Sequence, residues 1–147
     1  MLIEITHMRE EHIDEVADLE YRSFSQPWSR DAFGDTLAKD EYIYLVALAE
    51  GRVAGYVGAV IALDEGDITN IAVDEQYKRA GIGMELMKQM EQLLAKKAVK
   101  EIFLEVRESN LAARSLYAKC GYAEVGIRKN FYQKPVENGI VMKYSID

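Results

Sequence analysis

Apolar positions recur along this chain with two distinct periods, and their alternation lays out the elements in order. Leu2 to Thr6 reads as a strand. From Glu10 to Phe24, Ile13, Val16, Ala17 and Glu20 fall at helical spacing, with the apolar members on one face. Pro27 and Trp28 interrupt, and Ser29 is placed to cap a second helix running to Leu37, with Asp31 favourable in its first turn. Tyr42 to Ala49 and Arg52 to Leu63 are apolar, β-branched runs joined at Glu50 and Gly51, which predicts a hairpin. A turn over Asp64 to Asp67 precedes a strand over Ile68 to Val73. Leu86, Met87, Met90, Leu93 and Leu94 then form one stripe of an amphipathic helix of about four turns. Glu101 to Val106 reads as a strand, and Asn110 caps a short helix that ends at Gly121. Tyr122 to Arg128 and Ile140 to Ile146 are the last two strands. The order β-α-α-β-β-β-α-β-α-β-β predicts an α/β fold: a mixed sheet of about seven strands flanked by four helices on its two faces.

Bulk properties narrow the classes without selecting one. A chain of 147 residues fits one domain, here residues 1–147, with one well-formed core. The net charge of −7 argues against nucleic-acid binding, which needs a basic face, yet leaves room for an anionic ligand held by local cations and backbone N–H groups. No apolar run approaches the roughly 20 residues that span a bilayer. Met1 to Ile5 alternates like a strand, without the basic and apolar regions of a signal peptide. A single cysteine, Cys120, excludes an internal disulfide framework and makes a reducing cytoplasm the expected compartment. With two histidines, His7 and His12, no metal site is expected, and surface or capping roles suit both.

The first candidate site is the loop Lys78-Arg79-Ala80-Gly81-Ile82-Gly83. It stands between a strand and the helix with the clearest stripe. Glycines there let the backbone adopt positive φ and approach a ligand, and a helix start offers unpaired N–H donors to an anion. Lys78 and Arg79 add charge where a pyrophosphate needs it. The same residues also describe a plain connection with two solvated cations. No Gly-Lys-Ser/Thr follows, and the full dinucleotide fingerprint is missing.

Asn70-Ile71-Ala72-Val73-Asp74 followed by Lys78-x-x-Gly81-x-Gly83 resembles motif A of the GNAT N-acetyltransferases, usually written Arg/Gln-x-x-Gly-x-Gly/Ala. Lys78 departs at the first position. The resemblance covers nearly the whole chain, element order included. It implies acetyl-CoA as co-substrate, with its pyrophosphate on Arg79, Ala80, Gly81, Ile82, Gly83 and Met84. It also implies that the strand Ile68 to Val73 splays from the strand Glu101 to Val106. The pantetheine arm would then pair with main-chain groups of Ile71, Ala72 and Val73.

Acetyl transfer to an amine needs a neutral nucleophile, a stabilised oxyanion and a protonated leaving thiolate. Glu105 interrupts the apolar run Ile102-Phe103-Leu104-Glu105-Val106 and shares a strand face with Phe103. Among such neighbours it suits a base acting directly or through a water; on a sheet edge it is a surface charge. Tyr117 shares a helix face with Ala113 and Leu116, either as a core residue or as a hydroxyl that meets the sulfur. Trp28 serves either as a staple on the second helix or as a substrate wall. Cys120, near a helix C-terminus, lacks the setting that favours thiolate, so direct transfer is expected rather than an acetyl-enzyme.

Leu104-Glu105-Val106-Arg107-x-x-Asn110-x-x-Ala113-x-x-x-Tyr117-x-x-x-Gly121-Tyr122 closely resembles the ribosomal-protein-alanine N-acetyltransferases, the RimI group. The resemblance implies Glu105 as proton acceptor, Tyr117 as proton donor and Asn110 as a cofactor contact. Pro27-Trp28-Ser29 and Arg128-x-x-Phe131-Tyr132 agree with it, Phe131 being a departure, and they make Trp28 and Tyr132 substrate-site residues. The acceptor implied is a protein N-terminus, the alanine of a small-subunit ribosomal protein. A small amine or a protein lysine, or an acyl-CoA-binding domain without catalysis, are the other readings.

Overall fold

A computed structural model describes residues 2–146, so Met1 and Asp147 of the expected domain lie outside the described residues. Seven strands form one sheet: β1 (Ile3–His7), β2 (Tyr42–Ala49), β3 (Arg52–Ala62), β4 (Glu65–Val73), β5 (Glu101–Arg107), β6 (Ala123–Tyr132) and β7 (Glu137–Ser145). Their spatial order is β1-β2-β3-β4-β5-β7-β6, and only the β4–β5 pair is parallel. The helices are α1 (Ile13–Ser23), α2 (Arg30–Leu37), α3 (Ile82–Lys96) and α4 (Leu111–Lys119). Among the described residues, no helix is long and apolar enough to cross a membrane.

The helices cover both faces of the sheet. On one face, Val16, Leu19 and Phe33 of α1 and α2 pack on Tyr44, Val46, Val53, Tyr56 and Ala72. On the other, Leu86, Met87, Met90 and Leu94 of α3 pack on Leu45, Ala47, Val57, Ile102 and Leu104. β2 and β3 are therefore apolar along nearly their whole length, as strands covered on both sides must be.

Local chemistry sets most element ends. Ser29 Oγ accepts from Ala32 N at 3.1 Å and Asn110 Oδ1 from Ala113 N at 3.1 Å, so both expected caps are present. Glu50 and Gly51 both take positive φ, 51° and 80°, as a two-residue hairpin turn requires. Gly121, at φ 99°, closes α4. His12 Nδ1 accepts from Arg9 N at 3.0 Å, a capping role.

Three boundaries differ from the sequence expectation. The helix expected from Glu10 begins as a 3-10 turn over Glu10–His12. The turn expected over residues 64–67 is tighter, with Leu63 at φ 56°, and β4 already starts at Glu65. β6 and β7 reach towards each other to Tyr132 and Glu137, because their antiparallel pairing carries on past Arg128↔Gly139 to Tyr132↔Glu137.

β4 and β5 pair only through Glu65↔Glu101, Gly66↔Ile102 and Asp67↔Phe103. Beyond these the strands part, β4 staying with β3 and β5 with β7. The expected splay is present, and it opens a slot in the middle of the sheet. A bulge lies beside it: Gly58 faces Asn70 while Ala59 faces Ile68, leaving Thr69 as the extra residue of β4.

Candidate active site

The slot widens into a cleft of about 580 Å³ that is lined from both faces of the sheet. Strand alternation decides which side chain reaches it from where. Ile102, Leu104 and Val106 are buried against the α3 and α4 layer, so Glu105 and Arg107 emerge on the opposite face. Tyr117, from α4, belongs to the α3 and α4 layer. Six of the sequence-predicted residues meet at this cleft: Trp28, Ile71, Glu105, Asn110, Tyr117 and Tyr132.

The remaining predicted residues form a neighbouring feature at the end of β4. Gly81 is the N-cap of α3 at φ 78°, and with no side chain it leaves the first-turn N–H groups without a side-chain cap. Gly83 plays a different part: a Cβ there would lie 3.2 Å from Leu116 Cδ2, so glycine lets α3 pack closely on α4. Arg79 is exposed at φ 71°, and Ala80 is also exposed. Lys78 is turned to Glu75, with Nζ 3.1 Å from Oε2, which leaves Arg79 as the cation of this loop without a carboxylate partner among the described residues. Ile82 is buried at the start of α3, Gly83 and Met84 are half-buried, and Val73 is half-buried at the end of β4. The Ala72 side chain packs in the α1 and α2 layer, so at this position β4 presents main-chain groups to the slot.

Glu105 is half-buried, but its neighbour is a cation. Arg128 Nη1 lies 3.0 Å from its Oε1, and the Arg128 guanidinium sits 4.5 Å over the Phe131 ring. Tyr117 is buried, and burial pushes its hydroxyl well above the ordinary tyrosine value. Tyr132 is pushed up to about 12, by burial first and then by the Glu105 carboxylate. Both hydroxyls thus keep their protons through neutral pH.

Trp28 is a staple that also borders the cleft. It precedes the Ser29 cap and packs on Phe33 with ring centroids 5.5 Å apart, while also lining the cleft.

Three residues were not singled out from sequence. Glu20 is buried on α1; its Oε2 accepts from Trp28 N at 2.9 Å and its Oε1 from the Tyr56 hydroxyl. Its position on the apolar spacing of α1 was the available signal. Glu20→Ala is expected to destabilise the fold by about 2 kcal/mol, since two donors lose their acceptor; urea unfolding of the variant checks this. Arg107 donates to the carbonyls of Pro135 (2.9 Å) and Gln133 (2.8 Å) and to Ser25 Oγ (3.3 Å), joining the β6–β7 turn to the loop after α1. Its guanidinium lies 4.6 Å over the Tyr132 ring, which holds that ring at the cleft. Asn70 is the third.

The arrangement gives a carboxylate on one side of a slot, a protonated hydroxyl on the other, and an uncapped helix start nearby. The model of the acetyltransferase (GNAT) family matches residues 13–122. The chain is 38% identical over 144 residues to a Bacillus subtilis protein provisionally named a [ribosomal protein bS18]-alanine N-acetyltransferase, covering 97% of this chain and 95% of that one. The crystal structure of the ribosomal-protein-S18-alanine N-acetyltransferase from Escherichia coli superposes with a TM-score of 0.91 at 31% identity, covering 99% of this chain and 95% of that one. The PaiA N-acetyltransferase from Thermoplasma acidophilum, solved in complex with coenzyme A, shares the fold at a TM-score of 0.82 and 18% identity, over 99% of this chain and 100% of that one.

Proposed function

The chain belongs to the GNAT family of acetyltransferases, and from that premise we propose that it moves acetyl from acetyl-CoA to the α-amine of a protein N-terminus. The acceptor is the N-terminal alanine of a small-subunit ribosomal protein, as in the relatives' names, and the whole chain acts as one such domain in the cytoplasm. The observation that carries the reading is the β4–β5 slot, which opens to Tyr117 on one face and Glu105 on the other. Two substrates entering from opposite faces meet there, which suits direct transfer in a ternary complex.

The fit of acetyl-CoA to this chain rests on two features. The α3 start, with Gly81 as its cap, presents N–H groups to the pyrophosphate, helped by Arg79. The unpaired stretch of β4 offers main-chain groups of Ile71 to Val73 to the pantetheine arm, and Asn110 lines the same passage. Acetyl-CoA supplies the acetyl group in activated thioester form. Glu105, directly or through a water, takes a proton from the acceptor amine as its nitrogen bonds to the acetyl carbon. Tyr117 gives its hydroxyl proton to the sulfur as the carbon–sulfur bond breaks. Trp28 and Tyr132 wall the acceptor side.

A peptide panel tests the reading. With acetyl-CoA, a peptide beginning Ala-Arg should gain one acetyl group at its α-amine, located by tandem mass spectrometry. A peptide with a blocked N-terminus and a free lysine, and a polyamine, should be acetylated at least tenfold more slowly. Acetylation confined to the polyamine or the lysine would overturn the assignment.

A further inference from the structure

Asn70 is a buried polar side chain at the cleft that the proposed chemistry leaves unused. It is only 8% exposed. The Thr69 hydroxyl donates to its Oδ1 at 2.7 Å, which orients the amide and leaves Nδ2 buried with no partner among the described residues. Native proteins rarely bury an amide N–H without an acceptor, so this one calls for an explanation.

The surroundings are shaped around that amide. A Cβ on Gly58 would lie 2.7 Å from Asn70 Oδ1 and 2.5 Å from Tyr44 Cε1, so only glycine lets the amide and the Tyr44 ring share this space. The bulge at Thr69 resets the pleat of β4 here and brings Asn70 opposite Gly58. Tyr44 belongs to the layer under α1 and α2, so Asn70 stands on the side of the sheet where Glu105, Trp28 and Glu20 line the cleft.

An amide N–H donates and cannot hold an ammonium group, so its partner is an acceptor atom. On an N-terminal residue the acceptor atom nearest the amine is that residue's own carbonyl oxygen. We infer that Asn70 Nδ2 donates to the carbonyl of the residue bearing the reacting amine, and so selects α-amines over amines without an adjacent carbonyl. This inference rests on the proposal that the acceptor is a protein N-terminus. A lysine side chain or a polyamine has no such oxygen and leaves the buried donor unpaired, which is how a site built around a hydrogen bond rejects an analogue lacking it.

The test compares the Ala-Arg peptide with an analogue whose first peptide bond is replaced by an (E)-alkene, which keeps the shape and loses the oxygen. Wild type should use the analogue about 10- to 100-fold less efficiently in kcat/KM. Asn70→Leu, which keeps the size without a donor, and Asn70→Ala should both reduce that ratio to about threefold or less. Both should raise KM for the natural peptide, with acetyl-CoA affinity and melting temperature near wild type. Preservation of the ratio in both variants would overturn the inference. So would equal losses of kcat on the two acceptors at unchanged peptide KM, which would put the amide on the transferring acetyl group. Equal use of both acceptors by wild type would also overturn it while sparing the proposed function, whereas no wild-type activity on the Ala-Arg peptide would overturn both.

Discussion

Glu105→Gln is expected to lower turnover on an Ala-Arg peptide by about 10²- to 10⁴-fold, the range associated with loss of a general base. The substitution keeps size and hydrogen-bonding capacity but removes the group that accepts the amine proton. An α-amine titrates near 8, so at neutral pH most acceptor molecules arrive protonated. Without the base only the fraction already neutral can react, and the residual rate of the variant should climb as pH rises through about 8. Acetyl-CoA affinity should stay near wild type, because Glu105 emerges on the face opposite the α3 and α4 layer. Loss of the ion pair with Arg128, at 3.0 Å, costs little stability, since both groups are partly solvated. Steady-state rates from pH 6 to 9, together with a direct acetyl-CoA titration, check this. Wild-type turnover in the variant would remove Glu105 from the mechanism.

The second large effect is expected from Tyr117→Phe, a fall in kcat of about 10²-fold. The ring remains, and with it the packing on Tyr122, whose centroid lies 6.3 Å away, so the melting temperature should hardly move. Only the proton for the departing sulfur is lost. The sign of the pH dependence follows from burial, which raises the Tyr117 hydroxyl above its ordinary value near 10. The donor form therefore persists through the whole assay range, and wild type should show no alkaline loss due to Tyr117 below pH 9. Wild-type kcat in the Phe variant would contradict the donor role, and a fall in wild-type activity between pH 7 and 9 that the Phe variant lacks would contradict the raised hydroxyl. The assay is kcat against pH for both proteins, with the melting curve as a control.

What could be read in advance depended on how local the cause was. Ser29 and Asn110 were legible as caps because the bond that makes a cap spans three residues. The hairpin turn was legible from Gly51, because positive φ falls mainly on glycine, while the positive φ of Glu50 beside it left no mark in the sequence. The start of β4 was misplaced, since Gly66 and Asp67 look like turn residues and become strand only by pairing with β3 and β5. The slot itself was anticipated from family resemblance; no periodicity in β4 or β5 announces that their pairing stops after Asp67↔Phe103.

The same distinction runs through the site. Glu105 stood out as a charge in an apolar strand, but its partner Arg128 lies 23 residues away and left no mark on that strand. Glu20 was visible only as a carboxylate on helical spacing; its acceptor role needs Tyr56, 36 residues on. Asn70 was seen as part of a motif, while its unpaired amide depends on the bulge at Thr69 and on the missing side chain of Gly58. Gly83 was expected to serve a ligand, and the crowding that a Cβ there would meet at Leu116 adds a packing cause that only the fold could reveal.

The central claim is that two substrates meet through the slot between β4 and β5. The most direct measurement is a crystal structure with a conjugate of coenzyme A joined through an acetyl bridge to the α-amine of an Ala-Arg peptide. The account predicts the pyrophosphate at the Gly81 end of α3, the pantetheine arm between β4 and β5, and the bridge between Glu105 and Tyr117. The peptide should lie beside Trp28 and Tyr132. A conjugate whose peptide leaves the cleft on the α3 and α4 side, or whose bridge lies beyond reach of both Glu105 and Tyr117, would contradict it.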